Sequence, residues 1–160
     1  MASKHELKKS DSLFITKSYL CAVARVLSID YGTKRTGLAV TDPLQIIANG
    51  LDTIPTGELF SFLENYLGME EVSTIVVGEP FYPDGNPAQL HHQVVGLVRK
   101  LKKLYPAVEV VTWDERFTSV DAKAIILQSG AKRKKRREKG LVDKIAAVLI
   151  LQDYLEQNRY

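Results

Sequence analysis

Cysteine is nearly absent from this chain, since Cys21 is the only one among 160 residues. A single cysteine excludes an internal disulfide and a cysteine-based zinc site, and such usage is typical of proteins in a reducing cytoplasm. Long hydrophobic runs are also lacking: the longest, residues 145–151, has seven residues, whereas a membrane-spanning helix needs about 20. We therefore expect a cytoplasmic protein with no membrane partner.

Positive charge is concentrated in one short segment of the chain. The 22 basic and 19 acidic residues give a formal net charge of +3. The segment KRKKRREK, residues 132–139, holds seven of the basic residues and one acid, which leaves 15 basic and 18 acidic residues elsewhere, a balance of −3. Such a local cluster favours contact with phosphates, although a solvated loop would show the same pattern.

The hydrophobic pattern predicts a single α/β domain over residues 23–160, preceded by a loose N-terminal extension over residues 1–22. Glycine and proline turns separate the predicted elements. The predicted strands cover residues 24–30, 37–41, 45–55, 72–78 and 108–113. The predicted helices cover residues 57–68, 90–104, 118–130 and 141–157.

The order of these elements predicts the sheet. Three strands in succession favour an antiparallel meander, and strand–helix–strand units favour parallel additions. If the fourth strand pairs beside the first, the result is a mixed five-stranded sheet of order 3-2-1-4-5, flanked by helices. The carboxyl ends of strands one and four would then be neighbours at the point where the connections change side, which is where open α/β sheets bind their ligands.

Four acids are predicted to converge at that edge. Asp30 ends strand one, Glu79 ends strand four and Asp114 ends strand five; any one of them could equally be a turn residue or a helix cap. Asp143 lies in the last helix, where a helix dipole alone would also favour an acid in the first turn. However, the residues three, four, seven and eleven positions after it are apolar or aromatic: Ala146, Ala147, Ile150 and Tyr154. We therefore expect the Asp143 carboxylate to face the core side of the helix.

Converging carboxylates without histidine or cysteine are hard oxygen ligands, suited to Mg²⁺ or Mn²⁺. Two such ions roughly 4 Å apart would stabilise the attacking and leaving oxygens in phosphodiester hydrolysis. The sequence thus predicts a metal-dependent nuclease in which Asp30, Glu79, Asp114 and Asp143 are catalytic and bind the metal. The basic residues predicted to contact nucleic acid are Lys34, Arg35, Lys132, Arg133, Lys134, Lys135, Arg136 and Arg137.

Four motifs resemble, in order and spacing, those of the YqgF/RuvX family: DYGTKRTGLAV, VVGEP followed by DGN, DERFTS, and VDKIAAVLILQDYL. This family comprises Holliday-junction-resolvase-like proteins with an RNase H-like fold, described as candidate nucleases that mature pre-16S ribosomal RNA. The resemblance covers about residues 24–157. It implies that Asp30, Asp114 and Asp143 are acidic site positions, and that their polar companions are Arg35, Arg116, Thr118 and Ser119. Glu79 departs from the pattern, because its position is commonly apolar in the family, while the related junction resolvases carry a glutamate there.

Two other functions remain open. The first-strand motif also resembles the phosphate-binding turn of actin and sugar-kinase folds, but those proteins close a second such domain over ATP, and a second Asp-x-Gly turn is absent here. The stronger alternative is a non-catalytic RNA- or ribosome-binding module with the same fold. The expected partner is nucleic acid, either structured RNA or branched DNA. The sequence leaves the oligomeric state open between a monomer and a weak homodimer.

Overall fold

The computed structural model describes residues 24–81, 89–114 and 139–158. Five strands in these ranges form one sheet with the order β3-β2-β1-β4-β5. The pairs β1–β2 and β2–β3 are antiparallel, and the pairs β1–β4 and β4–β5 are parallel. The strands are β1 (Arg25–Tyr31), β2 (Arg35–Thr41), β3 (Ala48–Pro55), β4 (Val72–Glu79) and β5 (Glu109–Asp114). The predicted mixed sheet is confirmed, and it is the RNase H-like arrangement that the family resemblance implies.

Helices lie on both sides of this sheet. A 3-10 turn, Thr56–Glu58, precedes α1 (Leu59–Met69), and the other helices that the structure describes are α2 (His91–Leu104) and α3 (Lys139–Gln157). None of these helices is both long and apolar enough to cross a bilayer. The predicted extension over 1–22 and the predicted helix over 118–130 lie outside the described residues.

The third strand begins three residues later than predicted. The carboxylate of Asp42 accepts hydrogen bonds at 3.1, 2.8 and 2.7 Å from the backbone N–H groups of Leu44, Ile46 and Ile47. Gln45 adopts a φ of 58°, in the left-handed region that an extended strand never uses. The side chain of Asp42 therefore folds residues 45–47 into a loop, and β3 begins at Ala48.

The hydrophobic core occupies both faces of the sheet. One face, called here the α1/α2 face, packs against Leu59, Leu63, Val94, Leu97 and Leu101. The other, the α3 face, packs against Ala147, Ile150, Leu151 and Leu155. Strand alternation divides β1 between them, since Leu27 and Ile29 contact the first cluster and Val26 contacts the second. The face on which each strand-end acid lies follows from the same alternation.

Candidate functional site

Asp30 lies on the α3 face at the end of β1. Two residues earlier, the buried hydroxyl of Ser28 donates a hydrogen bond to the carbonyl oxygen of Ala147 at 2.6 Å. Side chains two positions apart point to the same face of a strand, so Asp30 also points towards α3. Asp143 lies one helical turn before Ala147. The strand and the helix thus carry Asp30 and Asp143 towards the same corner of the α3 face.

Gly37 allows the first turns of α3 to lie directly on the sheet. Gly37 is the Cα partner of Asp30 in the β1–β2 register, and a Cβ atom at this position would overlap the carbonyl group of Asp143. An approach this close between two backbones requires a residue without a side chain. Asp143 therefore lies immediately beside the position of Asp30.

Arg35 holds the Asp143 carboxylate. The Nε–H of Arg35 donates a hydrogen bond at 2.9 Å to Oδ2 of Asp143, and the two side chains are 42% and 26% exposed. Arg35 begins β2, and the exposed Lys34 directly precedes it. This corner, called here the site corner, thus joins the carboxylates of Asp30 and Asp143 with the cations of Lys34 and Arg35. Such a set of groups can hold a metal ion and a phosphate together.

The prediction that Asp143 faces the core side of its helix is confirmed. Ala146, Ala147 and Ile150, three, four and seven residues further along α3, are all at most 2% exposed. The helix therefore turns this side towards the sheet, and the half-buried Asp143 lies at its near end. A location on the sheet side of α3 is what a role beside Asp30 requires.

Glu79 and Asp114 lie on the α1/α2 face. They are Cα partners in the β4–β5 register. Trp113, the residue before Asp114, donates its Nε1–H to Oδ2 of Asp153 in α3 at 2.7 Å, so strand alternation turns Asp114 away from α3. Oε1 of Glu79 lies 3.5 Å from Nδ1 of His91, at the start of α2. The pleat of the strands thus separates this pair of acids from the pair in the site corner.

The four predicted acids consequently form two pairs. The parallel directions of β1, β4 and β5 do place Asp30, Glu79 and Asp114 at the same edge, as expected. However, within residues 24–81, 89–114 and 139–158 no group of three or more His, Cys, Asp or Glu side chains could hold a metal ion. The strand ends alone predict one cluster, because they lie at the same edge. The acids divide into two pairs because the end residues occupy different faces of the sheet.

Two further residues of this region are not among the predicted site residues. Thr56, which follows β3, donates its backbone N–H to the carbonyl oxygen of Lys34 at 3.1 Å and its hydroxyl to that of Gly32 at 2.7 Å. Its only signal in the sequence is a threonine directly after a strand. The side chain of His91, at the start of α2, is 19% exposed, because it contacts Glu79 and the ring of Phe81.

Several predicted site residues lie outside the described residues. They are Arg116, Thr118, Ser119, Lys132, Arg133, Lys134, Lys135, Arg136 and Arg137. Of the predicted nucleic-acid contacts, the described part of the chain contains Lys34 and Arg35, both exposed at the site corner.

Three comparisons place this chain among known proteins. The RuvX family model, described as Holliday junction resolvase, matches residues 24–157. A Flavobacterium johnsoniae protein named as a candidate pre-16S rRNA nuclease is 47% identical over 136 residues, which are 85% of this chain and 99% of that protein. A Phocaeicola vulgatus protein of the same name is 48% identical over 138 residues, 86% of this chain and 99% of that protein.

Among solved structures, Thermus thermophilus RuvC in complex with a Holliday junction substrate is similar, with a TM-score of 0.48 and 19% identity, over 84% of this chain and 96% of that chain. The family match spans the whole sheet and all three described helices, and the two relatives are matched over nearly their full length. The chain therefore belongs to the RuvX family.

Proposed function

We propose that this protein is a metal-dependent nuclease that hydrolyses phosphodiester bonds in structured RNA, with pre-16S ribosomal RNA as its substrate. The observation that carries the proposal is the site corner, where Asp30 and Asp143 share one face of the sheet and Arg35 binds Asp143. The family description and the names of the two relatives support the same reaction class. Maturation of ribosomal RNA in a bacterium would place the protein in the cytoplasm.

The residues of the site corner fit Mg²⁺ or Mn²⁺. Magnesium sites in enzymes commonly use one or two carboxylates, with waters and substrate phosphates completing the coordination. Asp30 and Asp143 would hold the ion, and Asp114, exposed at the same edge but turned away from α3 by strand alternation, is outside this set. Glu79 is outside this set, because it is half-buried on the opposite face beside His91. When bound, the ion supplies an activated water and neutralises charge on the phosphoryl oxygens.

Arg35 and Lys34 would orient the scissile phosphate. The bond from Nε of Arg35 fixes the direction of the Asp143 carboxylate, and the planar guanidinium carries further donors that suit phosphate oxygens. Lys34 adds a point charge from the adjacent position of the turn. These cations would offset the repulsion between the acids and a polyanion. Holding the phosphate beside both carboxylates lowers the entropic part of the barrier.

Cleavage of an RNA that carries the ends of precursor 16S rRNA, in Mg²⁺ or Mn²⁺, tests this proposal. Asp30→Asn removes the ligand charge and keeps the shape, so kcat should fall by more than about a hundredfold, since even outer-shell partners of a metal contribute about 10- to 100-fold. Glu79→Gln makes the same chemical change on the opposite face and should retain most of the activity. Wild-type rates from Asp30→Asn, with circular dichroism showing a folded protein, would refute the proposal.

The non-catalytic RNA-binding module is the second candidate. One observation favours it: in the described part of the chain, no group of three or more potential ligand side chains comes together. This function predicts RNA binding that is unaffected by chelators and by Asp30→Asn. Absence of cleavage by the wild-type protein in Mn²⁺, combined with salt-sensitive RNA binding, would establish it in place of the nuclease.

A further inference from the structure

The turn between β1 and β2 is fastened at three points by one residue, Thr56. Its backbone N–H donates to the carbonyl oxygen of Lys34 at 3.1 Å. Its hydroxyl donates to the carbonyl oxygen of Gly32 at 2.7 Å and lies 3.0 Å from the hydroxyl of Thr36. Thr56 thus contacts the start of the turn, its end and the strand that follows it.

The direction of these hydrogen bonds follows from the number of protons. A threonine hydroxyl has one proton, and the Gly32 carbonyl can only accept, so Thr56 uses its proton there. The proton between the two hydroxyls must then come from Thr36, which is fully buried. The result is a directed chain from Thr36 through Thr56 to Gly32, in which each bond polarises the next. Loss of the Thr56 hydroxyl would remove the partners of both other groups.

We propose that Thr56 is a positioning residue for the site corner. The turn that it holds ends at Lys34 and leads directly into Arg35. Pro55, the residue before Thr56, is the Cα partner of Arg35 in the β2–β3 register. The hydrogen bonds of Thr56 therefore lie next to Arg35 across the sheet. This inference rests on the proposed function: Thr56 sets where Lys34 and Arg35 meet the phosphate, and it does so without touching the substrate.

Two substitutions at the same position separate the hydroxyl from the shape. Thr56→Val removes the hydroxyl and keeps the branched side chain, whereas Thr56→Ser keeps the hydroxyl. Thr56→Val should lower kcat for RNA cleavage by about ten- to a hundredfold, the scale expected for a misplaced orienting group. KM should change by less than about threefold, because backbone phosphates contacted by other basic residues dominate binding. The kcat of Thr56→Ser should stay within about twofold of the wild-type kcat, because its hydroxyl can keep the same hydrogen bonds.

A double variant distinguishes positioning from simple destabilisation. In Thr56→Val the buried Thr36 hydroxyl lacks its acceptor, which should lower the melting temperature. In the double variant Thr36→Val/Thr56→Val neither buried hydroxyl remains, and the half-buried Gly32 carbonyl can be hydrated, so the melting temperature should recover. Cleavage should nevertheless stay low. Recovery of kcat together with the melting temperature would overturn the proposal.

The Arg35 Nε–H resonance provides a test that needs no catalysis. In the wild type this group is bonded to Asp143 at 2.9 Å, which should slow its exchange with water. Thr56→Val should shift this resonance and speed the exchange, and Thr56→Ser should leave both unchanged. If the wild type cleaves no RNA but the resonance responds in this way, the proposed function fails and the positioning role stands. An unchanged resonance in Thr56→Val overturns the positioning role.

Discussion

Replacing Gly37 with alanine should push the first turns of α3 off the sheet. The added Cβ atom would overlap the carbonyl group of Asp143. Both groups in this contact belong to backbones within regular elements, so neither can rotate away as a flexible side chain would. Either α3 must shift as a unit or β2 must bend beneath it, and each response displaces Asp143 from Asp30.

The cost of this shift can be worked out from the bonds that pin the helix. The hydroxyl of Ser28 donates to the carbonyl of Ala147 and that of Thr53 donates to the carbonyl of Gly140, both at 2.6 Å, on either side of residue 143. Stretching both bonds costs about 0.5–1.5 kcal/mol each. Leaving the helix in place instead costs about 1–3 kcal/mol of overpacking. Either response has a similar cost, so we expect the free energy of unfolding to fall by about 1–3 kcal/mol.

Urea denaturation measures this loss, and Gly96→Ala is the matched control. At Gly96, in the exposed middle of α2, a Cβ atom would meet no atom within 4 Å apart from its chain neighbours and the surrounding backbone of its own helix. Because alanine favours a helix over glycine by about 0.5–1 kcal/mol, this substitution should stabilise the protein. The same chemical change should therefore have opposite signs at the two positions. A Gly37→Ala protein as stable as the wild type would refute the close contact of α3 with the sheet, and with it the placement of Asp143.

Three further predictions concern charge. Arg35→Gln should lower RNA cleavage while changing the free energy of unfolding by less than about 1 kcal/mol, because so exposed an ion pair contributes little. As a control, Arg25→Gln breaks the 2.8 Å ion pair with Glu70 at the other end of β1 and should leave cleavage unchanged. Equal losses of cleavage in the two variants would contradict a specific role for Arg35. Hydrogen bonds from the backbone N–H groups of Ile47, Ile46 and Leu44 hold the pKa of the Asp42 carboxyl below its usual range. The stability that this carboxylate adds is therefore fully present above the unfolded pKa of about 3.9, and it is lost as the pH falls through the folded pKa. Asp42→Asn should remove that dependence from acid denaturation curves, and identical curves would contradict it. Replacing the six basic residues 132–137 with glutamine should reduce the slope of log K against log salt for RNA binding by roughly 0.7–0.9 per lost phosphate contact, whereas equal slopes would indicate an ordinary solvated loop.

The sheet was predictable because its signals are local and periodic. Short β-branched runs such as residues 72–78, separated by glycine and proline, indicate strands, and the connection rules leave few orders for five of them. The orientation of Asp143 was predictable for the same reason, since its apolar neighbours recur at helical spacing. The start of β3 was not, because the carboxylate of Asp42 accepts hydrogen bonds from three backbone N–H groups, of which those of Ile46 and Ile47 lie in the predicted strand.

The arrangement of the site was less accessible to sequence reasoning. A shift of one residue along a strand moves a side chain from one face of the sheet to the other. Such a difference in register places Asp30 on one face and Glu79 and Asp114 on the other, although all three lie at the same edge. Contacts between residues distant in sequence leave no periodic signal. The bonds from Thr56 to Gly32 and from Arg35 to Asp143 join residues 24 and 108 positions apart, and only the folded chain shows them.

Binding of Mn²⁺ to the full chain, followed by electron paramagnetic resonance of the free ion, tests the central claim most directly. The claim is that Asp30 and Asp143 form one metal site on the α3 face. We predict that Asp30→Asn and Asp143→Asn each lower the affinity for Mn²⁺ by more than about tenfold, and that Glu79→Gln, on the opposite face, leaves it within about twofold of the wild type. Affinities that are equal in all four proteins, or a loss confined to Glu79→Gln, would contradict it.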